Sequence, residues 1–205
     1  MEKSPEIKKI VVIGPESTGK STLCRQLAEH FHTVWCPEFA RDYLLKHGTG
    51  YSFDELLIIA KGQVALEEKY TAALAGPQHG MPEEKDAPFS PGVPLLFIDT
   101  DMYVMKVWCE FVFGKCHPWI LEQIAVREYD LYLLCNTDLP WVKDELREYP
   151  DLKTRETLFK IYKDLLINQH VPWVEIKGND EERLNEAIKA VEHFTGLPGE
   201  TGARG

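Results

Sequence analysis

A chain of 205 residues has room for one α/β domain around a single core and is short for two. Hydrophobic residues make up 44% and charged ones 27%, a balance that excludes a disordered or fibrous protein. The net charge of −10 argues against a general nucleic-acid binder, which needs clustered positive charge, but leaves room for a small anion in a local site.

Lys9 to Ile13 is a β-branched run, the shape of a buried parallel strand. Lys20 to Phe31 follows with apolar residues at helical spacing. Thr33 to Cys36 predicts a second strand and Phe39 to Lys46 a short helix. Ser52 and Glu55 form a capping box that opens a long helix towards Leu74. Gly76 to Gly92 holds four prolines and three glycines and reads as a flexible surface loop. Pro94 to Ile98 predicts a third strand, closed by Asp99. Helices at Met102 to Phe113 and Trp119 to Arg127 lead to a fourth strand, Tyr129 to Cys135. A helix at Thr154 to Gln169, a strand at Pro172 to Ile176 and a helix at Asp180 to His193 complete the pattern. Residues 195–205 are glycine-rich and read as a disordered tail. Alternating strands and helices imply an α/β fold with a five-stranded parallel sheet covered on both faces.

The cysteines, Cys24, Cys36, Cys109, Cys116 and Cys135, contain no C-x-x-C pair and read as free thiols of a reducing compartment. No apolar run reaches the roughly 18 residues of a membrane span, and Met1 to Lys9 lacks the apolar core of a signal peptide. A cytoplasmic protein without membrane or nucleic-acid partners is expected; oligomeric state is open.

Gly14-Pro-Glu-Ser-Thr-Gly19-Lys20-Ser21 fits G-x-x-x-x-G-K-[ST] without a mismatch, after a predicted strand and before a predicted helix. That context defines a P-loop NTPase. Gly14 and Gly19 let the loop curl with its N–H groups inward, and the following helix adds its positive N-terminal end. Phosphates would be held along Gly14, Ser17, Thr18, Gly19, Lys20, Ser21 and Thr22. Lys20 would reach the β- and γ-phosphates of ATP, and Ser21 would place its hydroxyl on Mg²⁺.

Several remaining motifs bear on where the phosphoryl group goes. The Asn-Lys-x-Asp base reader of GTPases is absent; "CNTD" at Cys135 to Asp138 lacks the lysine and the spacing. Asp99, at the end of the third strand and facing the phosphate loop, fits the Walker-B carboxylate that binds Mg²⁺. Asp101 is either a further carboxylate of the site or the N-cap of the next helix. Glu38 and Arg41 follow the second strand at the carboxyl edge of the sheet, where open α/β folds bind ligands; a surface ion pair is the alternative. Residues 138–155 carry Lys143, Arg147, Lys153 and Arg155 and fit a small helical lid over the transferring phosphate, or else a solvated charged helix. Gly178 and Asn179 stand where such folds pack a turn against adenine.

Taken together, GPESTGKSTL, PEFAR, FIDTDMY, HPW (His117 to Trp119), TDLPWVKDELR and the Lys177-Gly-Asn stretch resemble the ribosylnicotinamide kinase domain found at the C-terminal end of NadR-type proteins. The likeness covers about Lys9 to Phe194. It implies an ATP- and Mg²⁺-dependent kinase that phosphorylates the ribose 5′-hydroxyl of nicotinamide riboside to give nicotinamide mononucleotide. It also implies Asp99 and Asp101 at the metal and acceptor hydroxyl, Glu38 and Arg41 in the substrate pocket, and Arg147 and Arg155 in the lid. A single kinase domain at residues 9–194 is expected, without the adenylyltransferase and DNA-binding modules of that architecture.

One departure concerns the acceptor. The family pattern has a tryptophan where this chain has Pro37, and the tryptophan is the expected stacking surface for the pyridine ring. Without it a cationic ring loses a contact worth about 1–2 kcal/mol when desolvated. Trp35, two residues earlier on an extended strand, is a candidate replacement or simply core. A kinase for another nucleoside or sugar therefore stays open, as does a regulatory ATP-binding module without acceptor turnover. A mechanical AAA-type ATPase fits less well, because the chain has little room for that class's lid domain.

Overall fold

The computed structural model describes residues 6–76 and 93–196. At its centre lies β1 (Lys8–Ile13), flanked by β3 (Leu95–Asp99) and β4 (Leu131–Cys135), with β2 (Val34–Cys36) and β5 (Trp173–Ile176) at the edges. The order is β2-β3-β1-β4-β5, and every pair is parallel. β1, β3 and β4 are buried over almost their whole length, which explains their continuous apolar sequences rather than an alternating pattern.

Alternate residues of the strands serve two cores. Ile10 and Val12 face Leu23, Leu27 and Val191, on α1 (Lys20–His30) and α7 (Asp180–Thr195). Val11 and Ile13 face Val104, Val107, Leu158 and Tyr162, on α4 (Met102–Phe113) and α6 (Leu152–Ile167). A third cluster joins α2 (Phe39–His47), α3 (Phe53–Ala75), α4 and α5 (Pro118–Val126) beside the sheet. The capping box opening α3 forms as expected, with Ser52 accepting from the Glu55 amide and Glu55 accepting from that of Ser52.

Residues 137–151 are turns and irregular backbone, and only from Leu152 does the expected lid segment become helical. Pro140 and Pro150 each lack an N–H, so a continuous helix there would lose two of its hydrogen bonds. Apart from Gly76, Thr195 and Gly196, the loop expected at 76–92 and the tail expected at 195–205 lie outside the described residues. No helix among the described residues is long and apolar enough to cross a membrane.

Candidate active site

β1 delivers the chain to the phosphate loop at the carboxyl edge of the sheet. Gly14 has φ of +145°, and a Cβ there would stand 2.8 Å from the Cys135 carbonyl oxygen, so the loop can pass β4 only as glycine. Gly19 is the left-handed N-cap of α1, with no side-chain cap and no acidic residue in the first turn. The leading N–H groups of α1 are thus left for an anion. Thr18 turns inward and donates its hydroxyl to the Pro15 carbonyl at 2.7 Å. Lys20 Nζ rests on the same carbonyl at 2.9 Å, close to where phosphates would draw it.

Val12 pairs with Asp99 across the sheet, which sets the carboxylate beside the loop. The Ser21 hydroxyl donates to Asp99 Oδ2 at 2.5 Å, while buried Oδ1 has no hydrogen-bond partner among the described residues. Burial first, then the Glu38 charge, pushes the Asp99 carboxyl up to about 6, against the pull of Lys20 and the Ser21 and Thr100 hydroxyls. Thr100 has φ of +80°, an unusual conformation for a β-branched residue, and its hydroxyl donates to Glu38 at 3.3 Å. Strain of this kind gathers at functional sites.

A cavity of about 250 Å³ runs from the whole loop, Gly14 to Thr22, to a pocket walled by Glu38, Arg41, Trp108, Phe111, Arg147 and Tyr149. Glu38 is the N-cap residue of α2, but its side chain makes no cap bond, which leaves the carboxylate facing the cavity. Arg41 pairs with Asp144 of the irregular segment at 3.0 Å. The Trp108 indole donates to Tyr51 at 2.8 Å, and Tyr51 donates to Glu148 at 3.0 Å. Phe111 and Tyr149 meet edge to face at 5.5 Å.

Other expected site residues lie elsewhere. Asp101 caps α4, with Oδ1 accepting from the amides of Tyr103 and Val104 and Oδ2 from the Tyr132 hydroxyl at 2.9 Å. It stands outside the cavity wall, with both carboxylate oxygens engaged at the start of α4. Gly178 and Asn179 also stand outside the wall; Asn179 caps α7 with a full capping box. Arg147 reaches the wall, whereas Arg155 is buried in α6, with Nε and Nη1 lacking partners among the described residues. Trp35 packs with the core on the α1 side and is no part of the cavity, so it does not replace the tryptophan missing at Pro37.

Four residues that shape the site carry little signal in the sequence. Gln63, 1% exposed, accepts from the Phe39 amide at 2.7 Å and donates to the Pro37 carbonyl at 3.4 Å, fixing the turn that carries Glu38. Arg183, 3% exposed, donates to Thr18, Asn136 and Gly178 carbonyls and to Asp138. Trp108 occupies an amphipathic helix position indistinguishable in sequence from core. Glu16 fills a variable position of the loop motif, which gives it no signal.

The sheet, the loop and its companion carboxylate define a P-loop nucleotide-binding protein with a kinase-like fold. More particularly, the chain belongs to the AAA domain family, which it matches over residues 9–183. Membership fixes the nucleotide-binding class and leaves open what the nucleotide is used for. The "Trifunctional NAD biosynthesis/regulator protein NadR" of Salmonella typhimurium strain LT2 is 27% identical over 201 residues, 94% of this chain and 44% of that protein. This chain is thus NadR-like along nearly its whole length, and it spans less than half the length of the curated relatives it matches. A NadR protein solved in complex with NR superposes with a TM-score of 0.73 at 23% identity, covering 96% of this chain and 52% of the other. Thymidylate kinase from Ehrlichia chaffeensis shares the fold at a TM-score of 0.62 and 15% identity, covering 91% and 99%.

Proposed function

We propose that residues 9–194 form an ATP- and Mg²⁺-dependent kinase domain, with residues 138–155 as its lid, that phosphorylates nicotinamide riboside. The observation that carries this reading is the single cavity joining the phosphate loop to a pocket walled by Glu38, Trp108, Phe111 and Tyr149. Acidic and aromatic walls suit a flat cationic ring. The curated relatives' name places them in NAD biosynthesis, and a NadR protein of the same fold was solved in complex with NR.

Ser21 and Asp99 fit a Mg²⁺ site: Asp99 Oδ1 is a buried acceptor without a partner among the described residues, beside a hydroxyl of the phosphate loop. When bound, the ion would neutralise charge on the phosphates. Lys20, freed from the Pro15 carbonyl, would bind the γ-phosphate, and the Ser17 to Thr22 amides would hold the others. The acceptor oxygen would bond to the γ-phosphorus as the bond to the β–γ bridging oxygen breaks, and ADP would leave with that oxygen. Glu38 would orient the acceptor hydroxyl and take its proton. Arg147 at the cavity wall, and Arg155, whose Nε and Nη1 lack partners among the described residues, once α6 shifts, would balance the transferring charge.

The test is ADP release from MgATP with nicotinamide riboside and a panel of other nucleosides and sugars. Selective acceleration by nicotinamide riboside supports the reading. Acceleration by another member corrects the acceptor alone, and ATP binding with no acceleration returns the chain to a regulatory ATP-binding module.

A further inference from the structure

The irregular segment between β4 and α6 has backbone amides that no helix or strand satisfies, and some of them are bonded to the phosphate loop. The Glu16 carboxylate accepts from the Glu148 amide at 2.9 Å and the Tyr149 amide at 2.5 Å, with the Trp141 indole N–H at 3.4 Å. Next to it, Ser17 Oγ accepts from the Val142 amide at 3.1 Å. Bonds from amides to an ionised carboxylate are roughly twice as strong as neutral ones. The amides held by Glu16 adjoin Arg147, which lies on the cavity wall, and Tyr149 itself forms part of that wall.

We infer that Glu16 is a positioning residue that latches residues 141–149 onto the phosphate loop, so that occupation of the loop and closure over the acceptor are one coupled event. The inference rests on the kinase reading for its catalytic consequence, but the latch is a property of these bonds. Among the described residues the Glu16 carboxylate is hydrogen-bonded to the 141–149 segment and to neither Ser21 nor Asp99. With the latch intact, Arg147 and Tyr149 are held against the transferring phosphate and water is kept out. Without it, the segment lifts and water can take the place of the acceptor oxygen: its oxygen bonds to the γ-phosphorus, and ADP and inorganic phosphate leave with one proton released.

The experiment compares wild type, Glu16→Gln, Glu16→Asp and Glu16→Ala by two readouts. The first is backbone hydrogen exchange across residues 141–151 in the unliganded protein. Glu16→Ala should exchange at least tenfold faster at the Glu148 and Tyr149 amides, with the sheet unchanged, and Glu16→Asp should recover part of the protection. The second is the partition of γ-phosphate between acceptor and water. Glu16→Ala should lower kcat for transfer about tenfold, change KM for ATP by less than threefold, and raise the share lost to water; Glu16→Gln should fall between. Unchanged exchange in both Glu16→Ala and Glu16→Gln overturns the latch, whatever the kinetics. If wild type phosphorylates no acceptor while Glu16→Ala still loses protection, the kinase reading fails and the latch stands. Faster exchange with an unaltered partition in an active enzyme overturns the coupling.

Discussion

Arg183→Met tests whether one buried cation holds the nucleotide end of the sheet together. The guanidinium is 3% exposed and donates to the Gly178 carbonyl at 2.8 Å, the Thr18 carbonyl at 3.0 Å and the Asn136 carbonyl at 2.9 Å, besides Asp138. It therefore ties the phosphate loop, the end of β4 and the turn before α7 to one another. Methionine keeps much of the apolar stem, so cavity formation contributes little and the lost bonds dominate. Each bond to a charged donor is worth about 1.5–3 kcal/mol, but water will reach some of the freed carbonyls. A loss of about 3–5 kcal/mol follows, the range for removing one partner of a buried charged network. Asp138 is more than a third exposed and is left out of that figure. Because Thr18 belongs to the loop, ATP affinity should fall as well, by about tenfold for each 1.4 kcal/mol that reaches it. Urea unfolding gives the first quantity and calorimetric titration with MgATP the second. A stability change under about 1 kcal/mol, with ATP affinity unchanged, would refute the reasoning.

Lys20→Ala should cut turnover by about 10²–10³-fold while leaving the urea midpoint nearly unchanged, since among the described residues the Lys20 side chain makes one resting bond; near-normal turnover would defeat the phosphate-loop account. Gly62→Ala places a Cβ 2.2–2.4 Å from the Phe39 ring; it should cost about 1–3 kcal/mol by overpacking and raise the acceptor's KM through displacement of Glu38, and wild-type values in both assays would show that α2 yields freely. Trp108→Leu should raise the acceptor's KM about tenfold with KM for ATP unchanged, a split that simple unfolding does not give. Burial first, opposed by the Tyr132 hydroxyl and the Val104 and Tyr103 amides and reinforced by the Glu67 charge, moves the Asp101 carboxyl up from 3.8 to about 6. The folded state then holds the proton more tightly, so this contribution to stability is present at low pH and is lost as pH rises through 6. Asp101→Asn should gain about 2–3 kcal/mol on wild type between pH 4 and pH 7; parallel stability curves for the two proteins would refute it.

The strands of this fold were legible because burial on both faces leaves each as an uninterrupted apolar run bounded by punctuation: Lys9 to Ile13 before Gly14, and Pro94 to Ile98 before Asp99. Helix starts were legible where a side chain caps them, as at Ser52 and Asp101. The strand order was not, since nothing in a run such as Leu131 to Cys135 says which neighbour it pairs with. Residues 138–151 misled for a related reason: their charges, spaced as on a solvated helix, outweighed Pro140 and Pro150, and the Glu16 bonds that hold the segment irregular are non-local.

The site divides along the same line. The phosphate loop is a local device, in which glycine conformation, helix end and side-chain hydroxyls all come from adjacent residues, so a short motif captures it. The acceptor side is assembled from α2, α4 and the irregular segment, and each contributes a residue whose sequence context has another explanation: Glu38 as half of a surface ion pair, Trp108 as core, Tyr149 as part of a charged run. Asp99 and Asp101 show how little separates the two outcomes. Both are acidic and buried, two residues apart; between them Thr100 takes φ of +80°, so one carboxylate meets Ser21 and the other enters a helix cap. A residue type cannot announce that turn, because a threonine adopts it only when the surrounding packing compels it. The strained peptide unit is thus what separates a carboxylate available to the phosphate loop from one confined to holding α4 in place.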